Sequence, residues 1–272
     1  MVEPQMDRTL LSKAQKADLA KRLAEERLAT VDQKSAPVHP RVSFYTRYVK
    51  RAFDIALSLL ALTVTLPINL IIGVVTYFDV GRPIFFTQER IGKDGKLFKI
   101  VKFRNMTNAT DERGELLPAA QRVTKFGSFV RKTSLDELLN FWSILKGDMS
   151  LIGPRPLTKP YLGRFSARHM QRHAVRPGLE CPPRGAHVSL RNWQDQFEND
   201  IWYVENVSFK TACKMIWYLI RFALDRKNAA LRATTIRSSF VGYDWDGRAI
   251  SYDEVPQQYF DCYAAGNESS VA

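Results

Sequence analysis

Residues 55–77 read IALSLLALTVTLPINLIIGVVTY, a stretch of roughly 23 residues without a charge, long enough to cross a bilayer as a tilted helix. Two features complicate a simple span. Pro67 stands near the middle, with Asn69 just after it. Proline removes a backbone donor and clashes with the preceding turn, so it kinks or breaks a helix. A broken segment has two arms of about 12 residues, each rising only about 18 Å, too short to cross. The second feature is charge. Arg41, Arg47, Lys50 and Arg51 precede the stretch, and Arg82, Arg90, Lys93, Lys96, Lys99, Lys102 and Arg104 follow it. A spanning helix usually keeps only its basic flank in the cytoplasm. Two basic flanks favour a re-entrant hairpin with both ends on one face. A span and a buried core helix stay open as alternatives.

Outward from that stretch, the chain divides into four parts. Residues 1–40 form a charged helical appendage and a linker, SAPVHP at 35–40. The run from Leu10 to Thr30 interleaves acids and bases as an exposed helix would. The N-terminus lacks the apolar core of a signal peptide. Residues 41–80 hold the membrane segment, 81–225 a catalytic domain, and 226–272 a C-terminal extension, of which 239–272 has no assigned role. The fold class expected is α+β: a re-entrant membrane helix hairpin, then a small mixed domain with surface amphipathic helices.

Composition narrows the function. The 272 residues are 45% apolar, which fits a folded protein, and the net charge of +12 favours anionic partners. Nucleic acid, anionic lipid and phosphorylated substrates all suit that charge. No recognition helix or RNP-type aromatic pattern supports specific nucleic-acid binding. Cys181, Cys213 and Cys262 are odd in number and widely spaced, which argues against a disulfide framework or a zinc site. His169 and His173 share a helical spacing, but HMQRH lacks the HExxH glutamate.

Chemistry concentrates in RKTSLDELLNFWSILKGDMSLIGPRP, residues 131–156. Asp136 and Glu137 start an apolar helical run, where a helix N-terminus and neighbouring cations would keep them ionised and attract phosphate. Ser134 stands three residues before Glu137, the spacing of a capping box, so Glu137 has a capping role as its alternative. Adjacent helical carboxylates project about 100° apart and suit different tasks. Arg155, flanked by Pro154 and Pro156, is pre-set for bidentate phosphate contact. Upstream, Asp94-Gly95 signals a hairpin whose one face carries Ile91, Leu97 or Phe98, Ile100 and Phe103, and whose other presents Lys99 and Lys102 to an anion. Residues 107–121 read as a mobile surface loop. KTACKMIWYLIRFALD, 210–225, reads as an interfacial helix with Trp217 and Tyr218 near the headgroups, or equally as a core helix. The basic run 226–237 suits anionic lipid.

From about Lys50 to Leu224 the chain resembles the monotopic phosphoglycosyl transferases, the bacterial sugar transferases. The likeness rests on Lys50-Arg51 and Asp54, on Pro67, on Gln88-x-Arg90-x-Gly92-x-x-Gly95-x-x-Phe98, and on Lys102-Phe103-Arg104-x-Met106. It is densest in Arg131 to Leu138 and Leu145 to Pro156. The resemblance implies a re-entrant helix in the inner membrane and an active site on its cytoplasmic face. It implies transfer of a sugar 1-phosphate from a UDP-sugar to polyprenyl (undecaprenyl) phosphate, with release of UMP, to start an exopolysaccharide or other surface glycan. Asp136 is then the nucleophile that forms a phosphosugar-aspartate and Glu137 its partner, the two also being the candidate Mg²⁺ ligands. Arg131 and Arg155 hold phosphate, and Lys102, Arg104 and Arg90 complete the candidate phosphate-binding set. Leu139-Asn140 replaces the family's Pro-Gln, and Glu180-Cys181 replaces its Thr-Gly after Arg176-Pro177-Gly178, in a region expected to shape the nucleotide-sugar pocket. The alternative is a catalytically silent, membrane-tethered basic interaction protein on the same scaffold. A homo-oligomer is compatible with either.

Overall fold

The computed structural model describes residues 11–112, 114–185, 192–224 and 238–264. The basic run 226–237 lies outside them, as does part of the atypical segment after Pro177. Helix α1 (Lys13–Lys34) starts at a capping box in which Ser12 and Gln15 exchange side-chain and backbone bonds. It is not the exposed helix its charges suggest. Leu19, Ala20, Leu23 and Val31 form a narrow buried stripe, and Leu19, Ala20 and Leu23 pack with Val241, Ile250, Val255 and Phe260 from the far end of the chain.

A π-helical turn, Tyr45–Val49, runs into α2 (Lys50–Val80). Helical backbone continues through Pro67, so two separate arms give way to one helix with a proline inside it. Around the missing bond, the Thr63 and Thr65 hydroxyls donate back to Leu59 and Ala61 carbonyls, and Asn69 Nδ2 donates to Thr65. The lipid-grade side chains are bare: Leu59, Leu60, Val64, Leu66, Leu70 and Ile71 are all exposed.

Strands β1 (Phe85–Ile91) and β2 (Leu97–Phe103) pair antiparallel, Phe85 opposite Phe103. The turn falls where Asp94-Gly95 placed it, with Asp94 at φ 55° and Gly95 at φ 74°. The expected faces need correcting. Strand period two puts Phe98, Ile100 and Lys102 on one side and Lys99, Val101 and Phe103 on the other. Ile100 is buried with Ile144 and Met149, and Phe103 approaches Gly73 of α2. The expected loop 107–121 is turn-rich up to residue 118, residue 113 lying outside the description, and is tied down at Met106–Val123 and Thr110–Leu116; Ala119–Arg122 form a short helical turn.

Helices α3 (Lys125–Lys132) and α4 (Asn140–Lys146) flank the carboxylate pair. Strands β3 (Ser150–Ile152) and β4 (Gly178–Glu180) pair in parallel, so close that a Cβ at Gly178 would stand 2.1 Å from the Gly153 nitrogen. Helix α5 (Trp193–Asn206) fills the centre with Phe197, Ile201, Tyr203 and Val204. Helix α6 (Phe209–Leu224) is two-faced: Ala212 and Met215 are buried, Phe209 and Trp217 exposed. The terminal hairpin β5 (Phe240–Tyr243) and β6 (Ala249–Ser251) and helix α7 (Gln258–Ala264) complete the fold.

Candidate active site

The apolar run after residue 137 folds as α4, but the carboxylates precede it on a different device. Thr124 caps α3 by accepting from the Gly127 amide. After α3, Ser134 takes the left-handed conformation at φ 57°, and Leu135–Glu137 form one 3₁₀ turn. Ser134 makes no side-chain cap bond, so the capping box that was the alternative role for Glu137 is absent. The turn, rather than an α-helix N-terminus, aims Asp136 and Glu137.

Their surroundings differ sharply. Glu137 Oε1 accepts from Lys102 Nζ at 2.8 Å and from Arg155 Nη2 at 2.7 Å. Asp136, 8% exposed, has a 3.8 Å ion pair with Lys102. Burial pushes the Asp136 carboxyl above its ordinary value, against Lys102, with repulsion from Glu137 adding to the rise. Burial also acts to raise Glu137, but Arg155 and Lys102 outweigh it and hold that carboxyl below the usual range. Glu137 is therefore a fixed anchor for two cations, while Asp136 is the looser, more basic carboxylate.

Four of the residues named from sequence meet here: Asp136, Glu137, Lys102 and Arg155. Two stand beside them. Arg131, exposed on the last turn of α3, helps hold a charge on Asp136 through space. Arg90 donates to the Pro156 carbonyl and Gln88, bracing the loop that carries Arg155. Arg104 is elsewhere: it donates to the Val80 and Gly81 carbonyls and caps the C-terminus of α2. Lys99 is exposed, and Asp148 pairs with Lys146 at 2.6 Å.

Three supports had no role assigned from the sequence, although Lys50, Arg51 and Asp54 stand among the residues that carry the resemblance. Lys50 and Asp54 converge on Ser150, with Asp54 Oδ1 accepting from the Ser150 hydroxyl and Leu151 amide at 3.0 Å. Arg51 caps α4 through the Ile144 and Leu145 carbonyls. Arg172, buried against Asp200 at 2.7 Å, donates to the Arg155 carbonyl at 2.9 Å. The helical spacing of Lys50 and Asp54 was a visible signal; nothing local links Arg172 to Asp200.

For a divalent ion, the described residues contain no group of three histidine, cysteine or acidic side chains. Two adjacent carboxylates instead fit Mg²⁺ bound by one or two protein oxygens, with water and substrate phosphates completing its shell.

A groove of about 1030 Å³ leads away from Leu139, three residues past Asp136, between α2 and the β1–β2 hairpin. Residues 45–226, which carry the carboxylate pair, Lys102, Arg155 and the apolar helix, match in sequence the family described as bacterial sugar transferase. The chain belongs to that family. This bacterial sugar transferase is 41% identical over 179 residues to an uncharacterized sugar transferase, EpsL, of Bacillus subtilis, covering 65% of this chain and 87% of that one. It is 33% identical to an Aeromonas hydrophila protein named UDP-N-acetylgalactosamine-undecaprenyl-phosphate N-acetylgalactosaminephosphotransferase, over 65% of this chain and 44% of that one. A Klebsiella pneumoniae UDP-glucose:undecaprenyl-phosphate glucose-1-phosphate transferase is 34% identical over 66% of this chain and 41% of its own length. The chain thus spans less than half of the latter two relatives.

Proposed function

We propose that this sugar transferase moves a sugar 1-phosphate from a UDP-sugar to polyprenyl phosphate and so starts a surface glycan. The observation that carries the reading is the asymmetry of the dyad: Glu137 is tied to Lys102 and Arg155 at 2.8 and 2.7 Å, while the nearest side-chain cation to Asp136 is Lys102 at 3.8 Å. An Asp136 oxygen attacks the phosphorus that bears the sugar, the diphosphate bridge breaks, and UMP leaves. The polyprenyl phosphate oxygen then attacks the same phosphorus, and the Asp136 carboxylate is restored as the lipid diphosphate sugar forms. Lys102 and Arg155 place positive charge beside the oxygens that gain it. Mg²⁺, held by Asp136 and Glu137, would neutralise the diphosphate when bound.

The membrane helix enters and leaves on the cytoplasmic face. Support comes from ties to one domain at both ends of α2: Arg51 donates to the Ile144 and Leu145 carbonyls at its start, and Arg104 donates to the Val80 and Gly81 carbonyls at its end. Pro67 lies between the two ties, and a segment held at both ends by the same domain dips in and returns.

The test is nucleotide release in detergent or nanodiscs with Mg²⁺, a short polyprenyl phosphate and a panel of UDP-sugars. UMP from one donor, lost at least a thousandfold in Asp136→Asn, is the expected result, on the order of removing a covalent nucleophile. UDP as product, or full activity in Asp136→Asn, overturns the mechanism.

A further inference from the structure

Arg155 forks between two carboxylates. Its Nη2 donates to Glu137 Oε1 at 2.7 Å, and its Nη1 donates to Glu180 Oε2 and the Leu179 carbonyl, both at 3.3 Å. The two arms are unequal. The Glu137 arm is short, and that carboxylate is also tied to Lys102. The Glu180 arm is long and lies at the rim, with 36% of the Glu180 side chain exposed. The backbone beneath is fixed. The Arg155 carbonyl is held by buried Arg172, and Glu180 ends β4 with its other oxygen accepting from the Cys181 amide at 3.3 Å. Arg155 therefore keeps its place whichever anion it holds, and only the partner of Nη1 is free to change.

We propose that Glu180 is an internal stand-in for a diphosphate oxygen: it occupies the outer arm of Arg155 in the empty site and is displaced when the donor's diphosphate binds. Rested on the transferase reading, this makes Glu180 a positioning residue that acts through Arg155. Three carboxylates, Asp136, Glu137 and Glu180, already stand around the site, so an incoming diphosphate meets repulsion unless one withdraws. Of the two carboxylates on Arg155, Glu180 has the longer contact and the greater exposure, and rotating outward rehydrates it. Inside the site it competes with any anion for Arg155, so weakly held phosphates do not accumulate and the spent nucleotide is pushed off as the arm re-forms. Glu137 cannot take this part, because releasing Arg155 would also strip Lys102 of its short hydrogen bond.

The experiment is calorimetric binding of inorganic diphosphate to full-length protein in detergent, wild type against Glu180→Gln, with donor KM and kcat measured on the same preparations. Removing a half-exposed competing ion pair tightens diphosphate binding by about two- to fivefold at low salt. The gap narrows as salt rises. Donor KM falls by a similar factor and kcat does not rise. Unchanged or weaker diphosphate binding in Glu180→Gln overturns the proposal; a raised donor KM overturns it too, making Glu180 a contact for the donor. Because diphosphate binding needs no turnover, loss of the transferase reading (no UMP from any donor) is distinguishable from loss of this one.

Discussion

Helices α1 and α2 invert each other's composition. α1 is charged on most of its surface, yet Leu19, Ala20 and Leu23 are completely buried. α2 is the most apolar segment of the chain, yet only 11% of its apolar window is buried. The charged helix behaves as a core element, because a narrow stripe needs only one matching surface and finds it in residues 241–260. The apolar helix behaves as a surface, because its apolar side chains face away from the domain on almost every side. An exposed apolar area of this extent marks an interaction site, and its length and uniformity match lipid. Composition names the solvent a helix tolerates; the rest of the chain decides which faces are covered.

The largest expected effect tests that inversion directly. Leu23→Ala removes a fully buried side chain and should cost about 2–5 kcal/mol. Leu60→Ala, on a side chain 60% exposed, should change stability by less than about 0.5 kcal/mol in detergent. Thermal unfolding of both variants in the same detergent measures the difference. Equal losses would break the comparison, since α2 would then be packed and α1 peripheral.

The sequence made the local half of this arrangement legible. Asp94-Gly95 has to turn because both residues adopt positive φ, and the Asp136-Glu137 pair, Lys102 and Arg155 were all recognisable as charges in a turn-rich frame. What was not legible is set by distant contacts. Lys99 and Lys102 read alike, but strand alternation sends only Lys102 to the dyad. Arg104 reads as a phosphate ligand and instead caps α2, because the hairpin ends beside Val80. Ser134 reads as a cap and instead takes positive φ to make the 3₁₀ turn. Arg172 and Asp200 carry no common motif, yet their pair fixes the backbone of Arg155.

A smaller effect separates the two ends of α2 from its lipid face. Arg51→Ala frees two carbonyls at the end of α4 and should cost about 1–2 kcal/mol, on the scale of lost charge-assisted bonds. Membrane partitioning should stay unchanged, because the exposed leucines and valines are untouched. Unfolding in detergent and sedimentation with vesicles read the two properties apart. Release from vesicles by Arg51→Ala would mean that docking of the helix, not its apolar surface, holds the protein on lipid.

The smallest effect carries the same contrast to one turn of backbone, where Glu137 has its partners and Asp136 is largely without them. Asp136 has a raised folded pKa, chiefly from burial. Its protonated form is thus favoured in the folded state: that contribution is present below the unfolded value and is lost as pH rises through the folded one. An asparagine there carries no charge to desolvate, so Asp136→Asn should unfold at a slightly higher temperature than wild type near neutral pH, by less than the Arg51 loss. The gain should vanish as pH falls through the ordinary carboxylate range. Glu137 has the opposite sign: its folded pKa is lowered by Arg155 and Lys102 despite burial. Its contribution is present above the unfolded value and is lost as pH falls through the lowered one, so Glu137→Gln should destabilise near neutral pH and converge on wild type in acid. Thermal midpoints of the three proteins at neutral and acid pH decide it. A lower midpoint for Asp136→Asn near neutral pH would show that Asp136 is as well paired as its neighbour, and the division of labour within the dyad would fall with it.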